Sequence, residues 1–219
     1  MEEKLMSNFI FDCINGDALM TDVDDYIDKW HEGQVGGDLH DFLGMSKKEY
    51  ALFVDKHRIL VFNYKIASLY FGAGKYETAI DYLQKIINGP VDLRIDLQCY
   101  ARLLHLMAHY ELGNDEIIES LIKSVYRYMA KMKNLTVVEE EMFRFLRQSF
   151  NVSPKKIKPE LEKFLDKIKH LEKNRFETRS FAYLDIISWV ESKVYNKPMS
   201  EIVFEKYLNR KKRNLAKAA

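Results

Sequence analysis

Asn63-Tyr-Lys-Ile-Ala-Ser-Leu-Tyr-Phe-Gly-Ala-Gly-Lys-Tyr-Glu-Thr-Ala-Ile-Asp-Tyr-Leu-Gln-Lys-Ile-Ile-Asn-Gly-Pro90 reads as a complete helix–turn–helix unit. Ile66, Leu69, Tyr70 and Ala73 recur at helical spacing, as do Tyr76, Ala79, Ile80, Leu83, Ile86 and Ile87. Lys75, Glu77, Asp81, Gln84 and Lys85 fall on the opposite side of the second helix. Gly72-Ala-Gly74 separates the two halves, where a left-handed residue lets the first helix end and the chain reverse. The second helix stops at Asn88-Gly89-Pro90, because proline cannot continue a helix and biases its predecessor away from helical angles.

This unit resembles a tetratricopeptide repeat. Ala67 and Ala79 take the small-residue places where paired helices touch, and Tyr70, Tyr76 and Leu83 take the large ones. Ile86 stands where the family usually has alanine, and Asn63 where it usually has a large aromatic. A second, degenerate unit follows, in which Leu112-Gly113-Asn114-Asp115 echoes the Gly74 turn after an apolar helix from about Leu93. Its second helix is predicted from Asp115 to about Lys133 and buries Ile117, Ile118, Leu121, Ile122, Val125 and Met129. The resemblance implies an all-α, helical-repeat α-solenoid that binds a peptide or protein on the inner face of its first helices. That face includes Tyr64, Ser68 and Phe71 in the first unit and Leu103, Met107 and Tyr110 in the second. The same side chains equally suit a core beneath the next helix.

Further helices follow, as a repeat that cannot bury its own apolar face requires. Thr136 to Phe150 carries Val137, Val138, Met142, Phe143, Leu146 and Phe150 on one side, opened by a Thr136/Glu139 capping box. Pro154 and Pro159 punctuate the chain, and Pro159 fits the first turn of a helix bearing Leu161, Phe164, Leu165, Ile168 and Leu171. One helix from about Arg175 to Tyr195 carries Phe176, Phe181, Tyr183, Leu184, Ile187, Trp189 and Val190. A last helix follows Pro198, with Ile202, Val203, Phe204, Tyr207 and Leu208. From His57 to about Lys212 the chain resembles the larger helical-repeat proteins of Bacteroidota-type bacteria, a likeness that brings no catalytic residues with it.

Residues 1–56 have a different character. Five lysines and no arginine stand against thirteen acidic residues, a balance of −8, and the whole-chain +1 leaves +9 for 57–219. Asp25-Tyr-Ile-Asp-Lys-Trp-His-Glu32 and Asp38 to Val54 resemble small bacterial orphan proteins, some of which sit beside toxin–antitoxin genes. Three short helices are predicted: Asp22–His31, Leu39–Leu43, and one beginning at Ser46, whose hydroxyl and Glu49 form a capping box. From Ser46 to Phe71 no proline, glycine or turn cluster intervenes, so one continuous helix of about 40 Å joins the small acidic module (1–56) to the repeat domain (57–219). Sharing a helix without a polar linker is what an engineered helical fusion looks like; a natural two-module chain is the alternative.

Hydrophobic residues make up 47% of the 219 positions, ample for a core, and no run of eighteen apolar residues marks a membrane span. The start Met1-Glu-Glu-Lys-Leu-Met lacks a secretion signal, and Cys13 and Cys99 do not make a disulfide framework, so a cytoplasmic setting is expected.

Candidate chemistry is sparse. His105 and His109 are four apart on a predicted helix and can face one metal ion, but the intervening residues lack the glutamate of the zinc-protease pattern, and packing or surface roles are favoured. His31 and His40 flank the Gly33–Gly37 loop, whose spacing matches no phosphate or dinucleotide loop. Cys99 has no base partner in view and reads as a buried small side chain. Arg210-Lys-Lys-Arg213 and Lys155-Lys-Ile-Lys158 read as solvated helix ends rather than phosphate contacts, and a sequence pI near 7.7 argues against a dedicated nucleic-acid binder. The expectation is a non-catalytic scaffold for a protein or peptide, without cofactor, metal or membrane, and open to homo-oligomers. The alternatives are a toxin–antitoxin-associated or DNA-linked regulator and a structural fusion of two modules.

Overall fold

The computed structural model describes residues 8–19, 22–33, 37–89, 94–150, 152, 156–175 and 177–218, apart from the side chains of 57 and 214–218. Every regular element among them is a helix: α1 Phe9–Asn15, α2 Val23–His31, α3 Leu39–Leu43, α4 Lys47–Gly72, α5 Tyr76–Ile87, α6 Ile95–Glu111, α7 Asp115–Lys131, α8 Val137–Ser149, α9 Ile157–Leu171, α10 Thr178–Tyr183, α11 Ile186–Val194 and α12 Met199–Ala218. Pro90, Leu93, the loop centre 34–36, Pro154, Lys155 and Phe176, all used in the sequence reading, lie outside the described residues. None of the described helices is long and apolar enough to cross a membrane.

Local rules account for several boundaries. Ser46 caps α4 through a reciprocal box with Glu49, whose carboxylate takes the Ser46 N–H at 2.8 Å. At the far end Gly74 sits at φ 75°, its N–H bonding the Phe71 carbonyl while the Lys75 N–H bonds that of Tyr70. Gly113 at φ 67° closes α6 in the same way, with the Asn114 N–H on the His109 carbonyl. Two expectations need correction. The single helix expected over 175–195 is two, because Leu184 is extended and Asp185 caps α11, accepting the Ser188 N–H at 3.0 Å. The acidic module also holds a fourth helix, the seven-residue α1, which Asn8 caps by accepting the Phe11 N–H at 2.9 Å.

From α4 to α8 each helix packs chiefly on its neighbours in sequence, α4 also touches α6, α9 packs on α8 and more extensively on α11, and α11 packs also on α12. Apolar burial drives this stacking, and its main core holds Tyr64, Phe71, Leu83, Tyr100, Leu103, Met107, Phe143 and Trp189. Phe9, Val23, Leu43 and Met45 form a second small cluster among α1 to α4. Phe53 on α4 packs against both clusters. The chain then returns on itself: α11 is buried along nearly its whole length, and its Trp189 Nε1 donates to Glu111 Oε1 on α6 at 2.6 Å. Tyr110, Phe145 and Trp189 rings meet edge to face at 6.1–6.5 Å, so α6, α8 and α11 share one aromatic seam.

Candidate functional site

Two recesses run along α4. A cleft of about 1510 Å³ opens where Asp24, Asp25 and Asp28 of α2 stand across from Arg58 and Lys65 of α4, with Lys133 and Arg179 also on its walls. A second groove of about 970 Å³ lies between the C-terminal half of α4 and α12, lined by Ser68, Leu69, Val203, Phe204 and Tyr207. Both are walled by Val61, Lys65, Arg94 and Tyr183, so they join along α4. From Tyr50 to Ala73 the α4 wall extends about 35 Å at the helical rise.

The walls are held by long-range polar contacts. Arg94, in the left-handed region at φ 52°, makes a two-pronged pair with Asp96 at 2.9 and 3.0 Å and reaches the Tyr183 hydroxyl at 2.6 Å. Tyr183 also donates its hydroxyl to Asp96. Its ring stacks on Tyr100 at 4.5 Å and meets Tyr64 edge-on at 5.8 Å. Deeper in, the fully buried Glu139 accepts from Ser180 and from the Thr136 N–H, with the Tyr100 hydroxyl at 3.3 Å. This ties α10 to the ends of α6 and α8. α12 is fixed from its other side: Lys206 pairs with Glu191 at 2.8 Å and bonds Ser188 at 2.7 Å, while Ile202 is buried.

Burial pushes the Asp96 carboxyl up, but hydrogen bonds from Arg94 and Tyr183 outweigh it and the net direction is down. Burial, then the Asp96 contact, pushes the Tyr183 phenol up to about 12. The buried Cys99 thiol is driven up to about 11, chiefly by burial, so it is a thiol and not a nucleophilic thiolate at neutral pH. Arg94, Asp96 and Tyr183 thus form a mutually satisfied brace at the mouth of the cleft.

No protein-family model, curated protein or solved structure matches this chain. The geometry therefore carries the functional reading alone.

Of the six residues placed on a peptide-binding face, Tyr64 and Ser68 line the α4/α12 groove. Tyr64 is largely buried there, and Ser68 returns its hydroxyl to the Tyr64 carbonyl at 2.9 Å. Phe71, Leu103 and Met107 are buried core, and Tyr110 is half-buried against Phe150 and Trp189. The groove's largest exposed members, Leu69, Phe204 and Tyr207, belong to helices whose sequence periodicity assigned them to apolar stripes without saying what covers them. Arg94, Asp96 and Ser180 carried no motif, and Tyr183 and Glu139 were read only as apolar filler and as a cap. Apart from the local Arg94–Asp96 and Thr136–Glu139 pairs, their partners lie 39 to 89 residues away, beyond any spacing rule. Of the histidines flanking the Gly33–Gly37 loop, His40 sits with Asp38 and Asp41, three donors within 4.8 Å, whereas His31 packs its ring edge-on to Trp30.

Proposed function

We propose that this chain is a non-catalytic helical binding scaffold whose α4/α12 groove takes an acidic amphipathic helix from a partner protein. The carrying observation is the concentration of large apolar side chains left open on facing helices: Leu69 is 74% exposed, Phe204 60% and Tyr207 58%. Single exposed leucines are ordinary, but several converging in one groove mark an interaction surface. An amphipathic helix suits a groove walled by two helices, because its own apolar stripe fills the trough while its polar face stays in water. The charge at the rim selects an acidic partner. Lys65 lies on the α4 wall, and Arg210 and Lys211 follow Tyr207 by three and four residues, which sets them over the same stripe of α12.

The test is selection of helical peptides from a displayed library on the full chain. Selected peptides are expected to share leucine or aromatic anchors at three- and four-residue spacing with interspersed Asp or Glu, and to lose at least tenfold in affinity to Leu69→Glu and Phe204→Glu. Binders indifferent to both substitutions would overturn the proposal. So would self-association of the free chain that both substitutions abolish, since the groove would then belong to a second copy.

A further inference from the structure

The strongest unassigned chemistry lies on α6, away from the groove. His105 and His109 are both half-buried, and their Nε2 atoms stand 3.3 Å apart. Two ligands at about 2.0–2.1 Å from a tetrahedral Zn²⁺ are separated by about 3.3–3.4 Å, so the distance between the two nitrogens matches that of a zinc chelate. We propose that His105 and His109 form a two-histidine Zn²⁺ site oriented by Asn114, with the remaining coordination positions filled by water or by a donor from a partner.

Three features support the site beyond the four-residue spacing. The chelate is rigid, because the intervening Leu106, Met107 and Ala108 are all buried in the main core. The His109 ring is held from behind: its Nδ1 lies 2.8 Å from the Asn114 amide nitrogen, and the Asn114 backbone N–H also bonds the His109 carbonyl. Zinc binding requires a half-turn of that amide, which puts its oxygen on Nδ1–H and leaves a lone pair on Nε2, as outer-shell partners do for metal-binding histidines. Finally, the Nε2 atoms are within hydrogen-bonding distance of each other, so a proton shared there is one that the ion displaces on binding.

Zinc chloride titrated into the full, tag-free chain, followed by calorimetry, tests this directly. One equivalent is expected to bind, with no saturable binding left in His105→Ala or His109→Ala, and about tenfold weaker binding in Asn114→Ala. His40→Ala, which disrupts the separate Asp38/His40/Asp41 group, is expected to leave the titration unchanged. Where an alanine variant unfolds, His105→Gln and the zinc-induced shift of the histidine ring nitrogens in the unsubstituted protein answer the same question. Binding that survives both alanine substitutions, or that vanishes with His40→Ala, would refute the site. An Asn114→Ala variant with full affinity would refute the orienting role.

Discussion

Tyr64 on α4 donates its hydroxyl to the backbone carbonyl of Tyr183 at the end of α10, across 119 residues of chain and a distance of 2.9 Å. This bond ties the end of α10 to α4, as the Trp189–Glu111 bond ties α11 to α6, and the groove runs beside it along α4. Burial pushes the Tyr64 phenol well up, so it is a permanent donor. Tyr64→Phe keeps the ring and orphans the carbonyl, and urea unfolding should show a loss of about 1 kcal/mol. Tyr64→Ala also opens a cavity and should cost about 3–5 kcal/mol.

Glu139 is both the N-terminal cap partner of α8 and the acceptor for Ser180, 41 residues on. Glu139→Ala strips acceptors from the Thr136 N–H and the Ser180 hydroxyl and should destabilise by about 3 kcal/mol in chemical denaturation. Glu139→Gln keeps one oxygen and should recover a large share of that loss. Equal costs for the two would mean that packing, not acceptance, is what matters at this position.

Gly44 ends α3 at φ 77°, and a Cβ there would stand 2.2 Å from the Asn8 side-chain oxygen that caps α1. Gly44→Ala is strained on both counts. Because Phe9 and Leu43 belong to the small cluster, the effect should be local. Hydrogen exchange is expected to accelerate in α1 to α3 and to stay unchanged in α6 and α11; uniform acceleration would show that the two cores unfold as one.

Burial, with His109 and Arg102 nearby, drives His105 down to about 4, and burial lowers His109 as well. In the unfolded chain an imidazole titrates near about 6.5, so below that pH the unfolded state takes up protons first. Stability that is complete above about pH 6.5 should therefore fall as pH drops toward 4. With a chelator present, His105→Gln should reduce the loss between pH 7 and 4 by on the order of 1–2 kcal/mol, after allowance for partial exposure. Parallel stability profiles would contradict this.

Much of the helical inventory was legible in the sequence, and particular residues show why. Ser46 with Glu49, Thr136 with Glu139, and Gly74 and Gly113 act within three to five residues, so their spacing predicts the ends of α4, α6 and α8. The unbroken run through Phe53 and Tyr64 predicts α4 as one helix, and it is one from Lys47 to Gly72. The break at Asp185 leaves no mark in the apolar pattern, which continues through it, and the seven residues of α1 are too few to establish a period.

The candidate groove was not legible. Helical spacing puts Leu69 and Leu103 on apolar stripes alike, yet one is 74% exposed and the other fully buried. The sequence by itself determined that this is an all-helical chain with its caps and turns where local hydrogen bonding places them, since those interactions are made within a turn or two. Only the tertiary structure decided which stripes are covered, because burial depends on what arrives from far along the chain. Here Tyr183 and Trp189 fold back onto α4 and α6, while Val203, Phe204 and Tyr207 stay uncovered beside Leu69.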